Sequence, residues 1–317
     1  MAFHLLRNES VEEGMRRIVG EQVASAIAEI EDTELDPHET VHQVRKRCKK
    51  IRGAIRLVRQ PACEDTYQFE NEWFREAARN LSFVRDAEAM REAYDKLLDT
   101  FDEQGDRQAF DSIREALLQR RQRVAEDQGH LEEGLSTFLT AMHQAQERVA
   151  SWSLGNAGFA AIEPGLLKTY TRGRKAMIEA YHTPSDEQFH EWRKRVKYYR
   201  YHNRLLQELW KPVLTTNWEQ VKELSDLLGD DHDLGVFRQT LLANPKEFGC
   251  KRDIQVFLGL LDRRRGQLHN QAKTLGGYVF AEKPKHLGRR LCRYWQVWHG
   301  EAVQQSSKLA EPVVTYA

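Results

Sequence analysis

Two stretches of this chain carry the same order of cations, and that order restricts the fold more than any other feature. "HQVRKRCKKIRGAIR" begins at His42, and "HEWRKRVKYYRYHNR" begins at His190. Counted from each histidine, positions +3, +4, +7, +10 and +14 are Arg45, Lys46, Lys49, Arg52 and Arg56 in the first stretch. They are Arg193, Lys194, Lys197, Arg200 and Arg204 in the second. On a helix, at about 100° per residue, these positions fall within roughly 120° and form one stripe about four turns long. The apolar residues take a different face: Val41, Val44, Cys48, Ile51 and Ile55 in the first stretch, and Phe189, Trp192, Val196 and Tyr199 in the second. Each stretch is thus a helix with one side for a core and one side for cations.

A second landmark follows in the same order. "NLSFVRDAEAM" from Asn80 lines up with "LLGDDHDLGVF" from Leu227, so that Asp86 matches Asp233. Two landmarks at nearly one offset imply a duplicated helical half, with a seam near 153–164. Helical periodicity holds elsewhere too, proline is scarce, and alternating β-branched runs are nearly absent. The periodicity predicts helices at about 9–31, 38–59, 65–80, 83–102, 106–127, 129–152, 165–182, 185–210, 214–229, 231–243, 246–275 and 283–308. Asp36-Pro37 and Thr183-Pro184-Ser185-Asp186 are N-terminal caps for the two motif helices. The expected fold is all-α: two pseudo-symmetric helical bundles from an internal duplication, packed around a basic groove or pore. It is one domain over 1–317, with halves at 9–153 and 165–308.

Lysine plus arginine equals aspartate plus glutamate at 48 each, so net charge names no partner, but its distribution does. Segment 42–59 holds Arg45, Lys46, Arg47, Lys49, Lys50, Arg52, Arg56 and Arg59 and no carboxylate, while acids gather in runs such as "EIEDTELD". Like charges at i,i+3 and i,i+4 cost a few tenths of a kcal/mol each. With no carboxylate interleaved in that run, and the pattern recurring, a bound anion is expected to offset that cost. Arginine offers phosphate a planar fork and lysine a mobile point charge. A stripe roughly 20 Å long suits an extended polyanion better than a single phosphate.

Other classes find less support. No run of roughly 18 apolar residues is present, so no membrane span is expected, and the N-terminus lacks a secretory pattern. Cys48, Cys63, Cys250 and Cys292 are scattered, which fits a reducing cytoplasm better than a disulfide framework or a zinc site. No Walker A, GxSxG, HExxH or Rossmann fingerprint occurs. "GDDHDLG" at 229–235 resembles a metal ligand set. In the repeat, however, His232 aligns with Arg85, so Asp86 and Asp233 are read as partners of a cation or as helix caps. His42 and His190 are read as phosphate contacts, with a buried hydrogen-bonding role second. Arg16, Arg17, Arg174 and Lys175 precede the motif helices and extend the basic surface. "DRRRG" at 262–266 and "GRRLCR" at 288–293 are weaker candidates. The seven tryptophans are read as core residues rather than base-stacking platforms.

The doubled pattern H-x-x-R-K-x-x-K-x-x-R resembles the CHAD family, the conserved-histidine α-helical domain. "LLRNESVEEGMRRIV" and "PGLLKTYTRGRKAM" resemble it as well. The resemblance implies two pseudo-symmetric helical bundles around a basic cavity that binds inorganic polyphosphate, often at polyphosphate granules. Many relatives carry a fused CYTH domain; the chain lacks the E-x-E-x-K motif of that domain and is expected to be a standalone member. Carried over, the pattern assigns His42, Arg45, Lys46, Lys49, Lys50 and Arg52, and His190, Arg193, Lys194, Lys197, Arg200 and Tyr201. Tyr198 stands where a basic residue is common, and Gly53 stands where the other copy has Tyr201. The expected function is non-catalytic polyphosphate binding, with no cofactor and no metal. The alternatives are sequence-independent nucleic-acid binding and metal-assisted polyphosphate hydrolysis. Few aromatic residues interleave the first stripe, which counts against nucleic-acid stacking.

Overall fold

The structure, a computed structural model, describes residues 2–59, 64–101, 107–126 and 128–309. Among them are eleven α-helices and no strand: α1 (Val11–Glu31), α2 (Pro37–Leu57), α3 (Glu64–Arg79), α4 (Ser82–Thr100), α5 (Asp111–Glu126), α6 (Gln128–Ala150), α7 (Glu163–His182), α8 (Asp186–Leu205), α9 (Lys211–Ala243), α10 (Lys251–Val279) and α11 (Pro284–Leu309). The all-α expectation holds. The side chain of Asp86 and all of Cys63 lie outside the described residues.

Local chemistry starts the helices where the capping residues stand. Ser10 and Glu13 close a reciprocal capping box on α1. The Asp36 carboxylate accepts from the His38 and Glu39 amides, with Pro37 next to it in the first turn of α2. The Ser185 hydroxyl accepts from the Gln188 amide at the start of α8. A helix running to 210 was expected, but α8 ends at Leu205, and a short 3-10 turn over Gln207–Trp210 leads into α9.

The expected break between 229 and 231 is absent: α9 runs unbroken for 33 residues through Gly229. Glycine in a helix costs only about 1 kcal/mol relative to alanine. Here the helix is gripped by α8 on one side and α10 on the other, and Leu224, Leu228, Asp231 and Leu234 are buried on either side of the glycine. Burial of that continuous face outweighs the weak local preference.

Two apolar cores result, and neither respects the sequence halves. The larger joins Ile18, Val44 and Ile51 of α1 and α2 to Phe138 of α6, Tyr170 of α7, Trp192 of α8 and Trp298 of α11. The smaller joins Tyr94 of α4 and Ile113 of α5 to Phe237 of α9 and Phe257 of α10. Residues 9–153 and 165–308 therefore contribute to both cores. Trp210 departs from the core expectation for tryptophan, being 48% exposed. The two motif helices, α2 and α8, pack directly on each other.

Candidate functional site

The crossing of α2 and α8 is set by a glycine. A Cβ on Gly53 would lie 2.7–2.9 Å from Cδ2, Cβ and Cγ of Tyr201, so only a residue without a side chain lets the tyrosine ring lie across the helix. Gly53 and Tyr201 are themselves equivalent positions in the two stretches. The departure noted in the sequence thus has a steric reason: two equivalent positions meet at the crossing, and both cannot be large. Beside them, His202 is fully buried, and its Nε2–H donates to the Gly53 carbonyl at 3.1 Å. Burial pushes its pKa down to about 3, so the imidazole is neutral.

Equivalent positions of the two stretches lie near one another around the crossing. Arg56 of α2 lies over the ring of Tyr198 at 3.9 Å, while Lys50, the counterpart of Tyr198, sits in the field of Arg204, the counterpart of Arg56. Residue numbers rise along α2 (50, 53, 56) as they fall along α8 (204, 201, 198), so the two helices pass in opposite directions.

Cations converge here. Lys197 is held well below the usual lysine range by desolvation first, then by Lys49, Arg193 and Arg200; Asp233 opposes them only weakly. Arg193 is lowered by burial, against the raising fields of Asp233, Tyr201 and Asp231. Burial lowers Lys50 to about 8, helped by Arg47 and Lys46 and opposed by Glu29. Crowded like charges of this kind are what an anion-binding site needs and what an unliganded fold pays for.

The remaining candidates divide. Lys46 is exposed. Arg45 donates to the Ala78 carbonyl at 2.6 Å, and Arg52 to Asn71 Oδ1 at 3.3 Å. Arg56 and Arg204 reach past the stripe to aromatic rings, Arg56 to Tyr198 and Arg204 to Trp218 at 5.0 Å; burial lowers Arg56 to about 10. His42 is half-buried at the start of α2. His190 and His232 are within hydrogen-bond distance through their Nδ1 atoms, 3.2 Å apart. Its pKa is lowered by burial, Lys194 and Arg193, and that of His232 to about 4, chiefly by burial. Arg174 is half-buried and Lys175 exposed on α7. Arg17 has a different job: its guanidinium holds Glu9 at 2.7 Å, Glu21 at 3.3 Å and the carbonyl of His4, tying the N-terminal segment to α1. Arg16 is likewise engaged by Glu12 and the Trp152 carbonyl. The weaker candidates Arg265 and Arg290 are bonded to Asp231 and Glu282.

The α8 stripe, unlike the run at 42–59, has carboxylates beside it. Glu191 bridges Lys194 and Arg195. The Asp226 carboxylate of α9 accepts from Arg200 at 2.9 Å and pairs with Lys222 at 3.1 Å. Asp233 lies seven residues beyond Asp226, and it acts on Arg193, which lies seven residues before Arg200. The heptad spacing of Asp226 and Asp233 was the available signal for this register. Asp233 is interior to α9, so it is no cap, and its field on Arg193 and Lys197 fits the cation-partner reading. Among the described residues, no group of three or more metal-ligating side chains comes together, and no helix is long and apolar enough to cross a membrane.

The sequence pattern of the CHAD domain matches residues 17–242. The fold is similar to the crystal structure of the CHAD domain from the plant Ricinus communis, with a TM-score of 0.57 at 16% identity, covering 90% of this chain and 96% of that one. Curated proteins offer no match.

Proposed function

The chain belongs to the CHAD family, and on that premise we propose that it binds inorganic polyphosphate without turning it over. The observation that carries the reading is the meeting of Lys49, Arg193, Lys197 and Arg200 where α2 and α8 cross, with desolvation and mutual repulsion both acting on Lys197. A polyanion's opposite charge offsets both. In this reading the stripes of α2 and α8 form one basic groove from two duplicated halves, and the protein works in the cytoplasm, on polyphosphate granules. His42, Arg45, Lys46, Lys49, Lys50 and Arg52 act from one side and His190, Arg193, Lys194, Lys197 and Arg200 from the other. The test is competition of long-chain polyphosphate against single-stranded RNA and DNA across a salt titration. Polyphosphate is expected to win, with affinity falling steeply as salt rises because neutralised phosphates release counterions. A flat salt response, or preference for nucleic acid, overturns the proposal. A phosphate-release assay with added divalent metal is expected to show no turnover.

A further inference from the structure

The carboxylates facing α8 point to a second property of the same site, resting on the polyphosphate reading. Arg200 and Lys222 already share one carboxylate, Asp226, at 2.9 and 3.1 Å. Two turns along each helix Asp233 adds a negative field at Arg193 and Lys197, while Glu191 pairs with Lys194. Part of the cationic row on α8 is thus filled from within the chain. Asp226 differs from an ordinary structural partner in being half exposed. It can swing into water without leaving a buried charge behind, whereas Asp231, bound to Arg265, is 2% exposed and cannot.

We propose that Asp226 is a specificity-determining residue, an internal counter-anion that holds the place of a phosphate on Arg200 and must be displaced by the ligand. An intramolecular carboxylate competes at high effective concentration. A chain of closely spaced phosphates gains several charge-assisted contacts for each carboxylate it displaces. A nucleic-acid strand, with its charges farther apart, gains fewer and is held back more. Asp226 therefore weakens every anion but penalises sparse ones most.

The experiment compares long-chain polyphosphate, tripolyphosphate and a single-stranded oligonucleotide on the parent, Asp226→Asn and Glu223→Gln. Glu223 is exposed on the same helix, so its substitution makes the same change in net charge away from Arg200. Asp226→Asn is expected to tighten oligonucleotide and tripolyphosphate binding about twofold to fivefold, the range an exposed ion pair is worth. Long-chain polyphosphate is expected to change less and Glu223→Gln to do little. Asp226→Ser repeats the test with a side chain too short to hold Arg200. Equal gains for all three anions, no gain, or the same gain from Glu223→Gln overturns the inference. Failure of the parent to bind polyphosphate instead overturns the function proposed above, and the oligonucleotide arm still reads Asp226.

Discussion

Gly53→Ala isolates the crossing of α2 and α8. In an unconstrained helix this change stabilises by about 1 kcal/mol through backbone entropy. Here the new methyl would stand 2.7–2.9 Å from three atoms of Tyr201, and overpacking of this kind costs about 1–3 kcal/mol. Moving α8 away to relieve it stretches the His202 bond to the Gly53 carbonyl, and stranding a buried polar group costs a further ~1–3 kcal/mol. The expected net effect is a loss of about 2 kcal/mol, seen as a fall in Tm of about 3 °C for a chain of 317 residues. Gly229→Ala in α9 is the internal control, because a Cβ there meets nothing within 4 Å; it is expected to stabilise by about 0.5–1 kcal/mol. Combining Gly53→Ala with Tyr201→Ala should recover at least ~1 kcal/mol relative to the sum of the single changes. If Gly53→Ala is as stable as the parent, or the two changes are additive, the ring does not dictate the crossing and the steric account is wrong.

Other consequences concern charge. Because the pKa of Lys197 is lowered in the folded state, its charged form opposes folding at neutral pH. Lys197→Met should therefore raise Tm while weakening polyphosphate binding about tenfold or more; calorimetry of unfolding and of binding would catch any variant in which both move the same way. Lys50, lowered to about 8, should lose its proton as pH rises through that value. Its opposition to folding is then present below pH 8 and fades toward the unfolded lysine value, so stability should rise with pH across that window. A bound polyanion raises the pKa of Lys50, so binding should take up protons and affinity should drop above pH 8. Identical heats of binding in buffers of different ionisation enthalpy would refute proton uptake.

The fold was legible where local pattern and burial agree. The caps Asp36 and Ser185, the apolar faces of α2 and α8, and the doubled cation order all follow from residue spacing alone. Gly229 misled because a one-dimensional breaker signal is weaker than the grip of α8 and α10 on either side. Arg17, Arg56 and Arg204 carry the same charge as Lys197 but are spent on Glu9, Tyr198 and Trp218, partners up to 142 residues away in the chain. No pattern within one helix reveals such partners. The carboxylates of α9 were readable in principle, since Asp226 and Asp233 repeat the spacing of Arg193 and Arg200. Recognising it required knowing that α9 lies beside α8.

The reciprocal crossing has a consequence for direction. A chain passing along α2 from its N-terminus meets His42, then Arg45, Lys46 and Lys49 before the crossing. A chain arriving from the far end meets His190, then Arg193, Lys194 and Lys197. The order is the same from both ends, because the helices run oppositely past Gly53 and Tyr201. Inorganic polyphosphate is likewise the same read from either end. If polyphosphate is the ligand, as proposed above, it would have two equivalent seatings, a statistical factor of RT ln 2, about 0.4 kcal/mol. A nucleic-acid strand has a 5′ and a 3′ end and must meet one half of the row backwards.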